Sequence, residues 1–334
     1  MIGTIYFIGY ILGSTYFPRL ADIHGRRPFV IIGGFIQSLC TFALIFSNNF
    51  VLIYVNMLMI GIASPFLSSI GYNYLMELIP ESMENPVNTA LMCMDACGSL
   101  IGILYFTYLS KSMDTFFLII STTGIISACF HFLTPESPLF ITQGSEDNKK
   151  DLTEIDTEAE KRQNTSIWDF YTNKRLLVNI FVMACVWSTT SAGYYLINFN
   201  MKYVGGSVIN NIYASVSSEI IASLVASVIF SYLGSKPSLI LFFFISGVAG
   251  GIATFEFESP ALITSIILLA KFGISAAYCV IYITTAKIFP TEYSATAFGI
   301  CNIFARIITA FIPLIIEFPD PVPMYFLSIT CFLV

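Results

Sequence analysis

Four ionisable side chains sit in stretches that are otherwise apolar: Asp95, Glu219, Lys271 and Arg306. The most telling stretch runs LLAKFGISAAYCVIYITTAKIFPTEYSATAFGICNIFARIITAFIPL from Leu268 to Leu314 and holds both cations, neither with an acid within a helical turn. A cation in hydrocarbon costs roughly 2.5 to 3.5 kcal/mol even on lenient insertion scales, so such a residue faces a protein-lined or watery cavity. Two acids and two bases at that depth suit the holding of a charged or zwitterionic molecule. The competing reading of each is a buried pair that only tunes packing. Bond-making chemistry has little to draw on. There is no Walker A sequence, HExxH or GxSxG, and His24 and His131 have no partner His, Cys or acid at ligand spacing. No metal and no cofactor are expected.

The elements that position these groups follow from composition. The 334 residues are 56% hydrophobic and 15% aromatic with only 11% charged, more apolar surface than a soluble domain can bury. Apolar windows of about 20 residues, enough to cross roughly 30 Å of hydrocarbon, recur near 1–20, 29–46, 50–76, 87–109, 115–133, 175–197, 208–233, 238–255, 260–286, 295–316 and 322–334. The pattern predicts an all-α polytopic membrane protein with about eleven helices, since barrel strands would alternate instead. The eight cysteines all fall in apolar runs and read as core filler rather than a disulfide framework.

Orientation follows from the basic residues of alternate loops. One side receives Arg19, Arg26, Arg27, Lys149, Lys150, Lys161, Arg162, Lys174, Arg175, Lys236 and Lys287, the other only Lys111 and Lys202, which puts the first set in the cytoplasm. The net charge of −6 comes mostly from Glu136 to Asp169 and says little about partners. The chain opens directly in a long apolar segment, so no cleavable leader is read there.

Two landmarks repeat. Gly25-Arg26-Arg27-Pro28 has a counterpart 209 residues on in Gly234-Ser235-Lys236-Pro237, and Glu77-Leu-Ile-Pro80 has one 210 residues on in Lys287-Ile-Phe-Pro290. Unrelated landmarks with nearly one offset argue for duplication: an N-terminal transmembrane half at 1–142, a polar cytoplasmic linker at 143–173, and a C-terminal half at 174–334. The linker's Asn164-Thr-Ser sequon is expected to stay silent on that side of the membrane.

These residues resemble the major facilitator superfamily, and within it the organic ion branch of anion, cation and carnitine carriers. Asp22-Ile-His-Gly25-Arg26-Arg27 is similar to the superfamily's loop between its second and third helices, and Pro135-Glu136-Ser137-Pro138 to its PESP signature. Sugar porters share both. The narrower likeness lies in Trp187 to Ile221, with Tyr194, Tyr195, Gly205, Gly206 and Glu219, and in Lys271 through Phe289-Pro290-Thr291 to Arg306 and Pro313. The resemblance implies a bundle of two six-helix halves, with the first family helix and its external domain missing here and the twelfth cut short. It implies transport by alternating access rather than enzymatic activity, with a small organic ion and the lipid bilayer as partners, no nucleic acid, and the coupling ion open. The alternatives are a sugar or polyol porter, or a truncated remnant or sensor.

By the same resemblance, Lys271 and Arg306 fall on basic cavity positions of anion-preferring relatives, and Glu219 on an acid frequent in cation and carnitine carriers. Tyr194, Tyr195, Tyr278 and Tyr282 fall on cavity aromatics. Asp95 stands where the family usually has an aromatic; its role is read from charge alone, as a balance for Arg306. Asp22, Gly25, Arg26, Arg27, Glu77 and Glu136 are implied as a cytoplasmic conformational gate. Departures thin that gate: Pro18 replaces a motif glycine, Glu84 and Ser294 stand where arginines are expected, Lys287 where an acid is, and Leu139 where PESPR has its arginine.

Overall fold

The computed structural model describes residues 2–138, 174–203, 207–255, 259–289, 291–319 and 321–334. The linker with Asn164, and Leu139, Gly205, Gly206 and Pro290, lie outside the described residues.

Eleven helices and no strand occur among the described residues: α1 (Ile2–His24), α2 (Arg27–Leu44), α3 (Phe50–Pro65, continuing through a π turn at Phe66–Ile70 into Gly71–Leu78), α4 (Glu84–Leu104, ending in a π turn at Tyr105–Leu109), α5 (Met113–Phe130), α6 (Lys174–Asn200), α7 (Val208–Leu233), α8 (Ser235–Ile252), α9 (Pro260–Ile288), α10 (Thr291–Ile315) and α11 (Val322–Leu333). The expected number of helices is met. Nine of them are long and apolar enough to cross a membrane. Outside that set are α1, which carries Arg19, Asp22 and His24 in its last turns, and α11, only 12 residues long.

Local chemistry explains the breaks. Pro65 lacks the N–H that would continue the α ladder, and the chain widens into a π turn just after it. Asn49 caps α3, its Oδ1 accepting from the Val51 N–H at 3.1 Å. The two loops read as repeats share a backbone device: Gly25 has φ 94° and Gly234 φ 80°, and no other described residue has positive φ. A side chain there would clash with the backbone, so glycine is what lets both turns reverse so tightly.

The chain falls into two compact units. The first comprises Met1–Glu81, Met113–Met183 and Ile288–Ile303. Its core gathers Ala21, Val30, Phe66, Ile70 and Tyr74 with Phe17, Phe29 and Leu78. Here α1 lies close against α3, with Gly9 on the backbone of Leu58 and Tyr6 Oη 3.0 Å from Ser64 Oγ. The second comprises Ser82–Ser112, Ala184–Lys287 and Phe304–Val334. Its most enclosed helix is α9, 72% buried over its central window against 11% for α5 of the first unit. A helix enclosed on most sides is a bundle centre, whereas most of α5 is unburied.

Candidate functional site

Helical periodicity assembles the site of the second unit. On α6, Trp187, Ser191, Tyr194, Tyr195 and Asn198 recur at three- and four-residue steps, and on α9 so do Lys271, Tyr278 and Tyr282, giving each helix one polar-aromatic stripe. The Lys271 side chain is fully buried, and its Nζ has three neighbours. Asn198 Oδ1 accepts from it at 2.8 Å, Glu219 Oε2 of α7 lies at 3.4 Å, and the Tyr194 ring centre at 3.5 Å. The Tyr194 hydroxyl in turn donates to Glu219 Oε1 at 3.0 Å. An ammonium, a carboxylate, an amide and a phenol thus close on one another, as buried charges must if their desolvation is to be offset.

An aromatic ladder extends from this knot. Tyr194 meets Tyr278 at 5.4 Å between ring centres, Tyr278 meets Tyr282 at 5.7 Å, and Trp187 stands edge-on to Tyr282 at 4.8 Å. The indole Nε1 donates to Thr285 Oγ1 at 2.9 Å, which fixes the ring despite complete burial. Faces and hydroxyls in that order suit an amphipathic organic ion.

Arg306 of α10 takes a separate place on the same unit. Its Nη1 donates to the Tyr195 hydroxyl at 3.0 Å, and Ser191 Oγ lies 3.0 Å from Thr309 Oγ1 one turn on, tying α10 to α6. Tyr194 and Tyr195 touch edge-on at 5.5 Å, so rings join the Arg306 and Lys271 groups.

Asp95 joins the Lys271 group. On α4, Asn85 Nδ2 donates to the Ser227 carbonyl at 2.9 Å and Asn88 Nδ2 to the Cys279 carbonyl at 3.0 Å. Asp95 lies two turns past Asn88, as Lys271 lies two turns before Cys279, a rise of roughly 10 to 12 Å on each helix. The Asp95 carboxylate is thereby within electrostatic range of Glu219 and Lys271.

The first unit holds a second charge cluster, and it unites all six gate residues expected from sequence. Arg26 Nη1 pairs with Glu77 Oε1 at 2.5 Å and its Nη2 with Asp22 Oδ1 at 3.1 Å. Glu136 Oε1 accepts from the N–H groups of Arg26 at 3.0 Å, Arg27 at 3.1 Å and Ser137 at 3.0 Å, so one carboxylate caps the start of α2. Ser137 Oγ donates to Glu77 Oε2 at 2.6 Å, and Arg27 reaches the Phe132 carbonyl at 2.6 Å. Gly25 supplies the reversal. Asp22 Oδ2 also accepts from Thr296 N at 3.2 Å and Oγ1 at 3.1 Å, binding the start of α10 to the end of α1. Burial pushes the Asp22 carboxyl up from 3.8 to about 6, against the opposing pull of Arg26 and Thr296.

The departures from the resembling family are less damaging than the sequence implied. Glu84 Oε2 meets Lys287 Nζ at 3.1 Å in the second unit, so two residues of unexpected sign pair with one another. In the first, Ser294 Oγ donates to Asn73 Oδ1 at 3.2 Å. Sequence reasoning missed Asn198, Thr296 and the site role of Trp187, which carry no charge to mark them; for Asn198 and Trp187 only the helical phase with Tyr194 could have pointed to them.

Helices of membrane-crossing length around buried, mutually neutralising charges define a multi-pass α-helical membrane protein. The chain belongs to the Major Facilitator Superfamily, whose family model matches residues 1–313. That is a family of transporters, not enzymes. Among curated relatives the chain is similar to "Organic cation/carnitine transporter 2" of Homo sapiens, 21% identical over 328 residues that cover 91% of this chain and 58% of the relative. It is likewise similar to "Solute carrier family 22 member 15" of Xenopus tropicalis, 23% identical over 348 residues covering 93% and 63%. The chain therefore spans about three fifths of the length of the curated relatives it matches. Among solved structures it shares its fold with the human organic anion transporter MFSD10, with a TM-score of 0.78 at 13% identity covering 99% of this chain and 81% of that one. It shares it also with the proton:xylose symporter XylE, with a TM-score of 0.73 at 13% identity covering 98% and 82%.

Proposed function

We propose that the chain moves a small organic ion or zwitterion across its membrane by alternating access. Residues 1–142 and 174–334 act as the two halves, and 143–173 as the cytoplasmic strap between them. The observation that carries this reading is the fully buried Lys271 held by Glu219 and Asn198 beside a ladder of tyrosines. A protein with only packing to satisfy has no use for an ion pair at that depth, since well-packed apolar residues cost less. The aromatic faces receive the organic body, Asp95 the cationic part and Arg306 the anionic part. The names of the curated relatives agree with an organic ion as cargo. The Asp22–Arg26–Glu77–Glu136 cluster serves as the cytoplasmic gate. A neutral sugar fits less well, because the amide nearest the ring ladder, Asn198, is already engaged by a charge.

The test is uptake into proteoliposomes containing the purified chain, with a panel of organic anions, cations and zwitterions. Uptake above that of empty vesicles is expected for at least one class, and Arg306→Ala should weaken anion or zwitterion uptake far more than it lowers protein abundance. No uptake of any class would end the carrier reading. Loss of folded protein in Arg306→Ala, rescued in Arg306→Lys with unchanged selectivity, would make Arg306 structural.

A further inference from the structure

Lysine is the obvious receptor for the anionic end of a cargo, but the surroundings of Lys271 leave it little to offer. An ammonium has three N–H donors. Around Nζ stand Asn198 Oδ1 at 2.8 Å, Glu219 Oε2 at 3.4 Å and the Tyr194 ring at 3.5 Å, and the side chain has no exposed surface. The shortest of these contacts is to the neutral amide. Glu219 is itself shared, since Tyr194 also donates to it at 3.0 Å. If Asn198 were absent, one donor of the ammonium would have no acceptor on α6, and the pull of Glu219 alone would not use it.

We propose that Asn198 is a specificity-setting residue: by accepting from Lys271 it keeps the ammonium out of cargo binding, so that the Lys271 end of the site rejects anions that the ammonium would otherwise attract and leaves the anionic part of a cargo to Arg306. The Lys271–Glu219 pair is then electrically silent toward the cargo. The charges left to act on a ligand beside the tyrosines are the Asp95 carboxylate, exposed on α4, and the Arg306 guanidinium, which donates to the Tyr195 hydroxyl at 3.0 Å. Asp95 favours a cationic head on the Tyr194, Tyr278 and Tyr282 faces, while an anionic group is drawn to Arg306 and not to Lys271. Asn198 is a positioning residue in this scheme: it sets selectivity by holding Lys271 and touches no cargo itself. The inference rests on the carrier reading above and refines it.

The experiment uses two probes of matched shape and opposite charge, benzyltrimethylammonium and benzoate, with the purified full chain in nanodiscs. Binding is read by calorimetry. In Asn198→Ala the benzoate to benzyltrimethylammonium affinity ratio should rise roughly tenfold, the effect of releasing one hydrogen bond to a charged group. Asn198→Gln, which keeps a neutral amide acceptor for Lys271, should show no such rise, so that the conservative variant restores the selectivity that alanine loses. Should the alanine variant not accumulate, Asn198→Ser carries the same expectation, because its hydroxyl is too short to hold the ammonium. An unmoved ratio in the alanine or serine variant, with a wild type that still binds either probe, overturns the inference and leaves the carrier reading standing. Failure of both probes to bind the wild type overturns the inference, while the carrier reading is decided separately by the uptake panel.

Discussion

The molecule carries two clusters of opposed charge, and they are solved differently. Around Arg26, three carboxylates converge on one guanidinium and the N-terminus of α2; Asp22, Glu77 and Glu136 each have two or more donors, and the fork of the guanidinium matches two of them at once. Around Lys271, a single ammonium faces Glu219, an amide and a ring, and Asp95 remains over. The first network is closed, and such a network fixes geometry. The second is saturated at its cation but open at one anion, which is the arrangement that can take up a ligand. The contrast separates a closed network from one with a carboxylate left over, although both read in the sequence simply as charges near or within apolar runs.

The sharpest way to break that contrast is to unbalance the deeper cluster. Lys271→Ala should leave Glu219 buried without its cation, a loss of the order of 3 to 5 kcal/mol when one member of a buried pair is removed. The expected outcome is little or no folded protein by size-exclusion chromatography in detergent. Lys271→Met with Glu219→Gln, which removes both charges, should recover most of it. If the single variant folds as well as the double, Glu219 is satisfied by the Tyr194 hydroxyl alone and the pair is not what stabilises the bundle.

How much of this was legible beforehand depends on the kind of signal. The helices were, because a bilayer demands long apolar runs and every backbone group in them bonds within its own segment. The two reversals were, because both need glycine and both have it, Gly25 and Gly234. That Asp22, Gly25, Arg26, Arg27, Glu77 and Glu136 belong to one cluster came from the family resemblance, which put them in two short motifs far apart in the chain. Lys271 and Glu219 stood out by charge, but 52 residues separate them and no periodic pattern links α7 to α9. Asn198 was not legible at all: an amide inside an apolar helix bears no charge, and its importance arises only when α6 and α9 meet. Glu84 and Lys287 misled for the same reason. Each looked like a lost partner when judged against a family pattern one position at a time, yet together they preserve a pair with its signs exchanged.

A smaller effect tests the closed network. Asp22 has its carboxyl raised from 3.8 to about 6 in the fold, chiefly by burial, so the protonated form is the one the fold favours. The sign follows: its contribution to stability is fully present below 3.8 and is lost as pH rises through about 6, where the buried group must ionise. The difference in melting temperature between wild type and Asp22→Asn should therefore move against the wild type as pH climbs from 4 to 6 and flatten above that. A flat difference across the whole range would mean that Arg26 and Thr296 offset the desolvation in full.

The smallest effect belongs to the exchanged pair. Lys287 is about half exposed and Glu84 about one fifth, so their 3.1 Å contact is solvated, and such pairs contribute only about 0 to 1 kcal/mol. Neither Glu84→Lys nor Lys287→Glu alone should prevent folding, but each sets like charges against one another and should lower the melting temperature slightly. The double variant restores opposite signs in the order the resembling family would have at Lys287, and it should return to within error of the wild type. Coupling is then read from the double-mutant cycle, repeated in high salt. A coupling that vanishes in 1 M salt identifies a screened surface pair, as its exposure implies. One that survives points to an interface that excludes water when α4 and α9 close, and would place the pair with the Arg26 network as a second built-in hold. No coupling at either salt would mean that the two side chains reach each other without any energetic consequence, and the sign exchange would be incidental to how the helices are held.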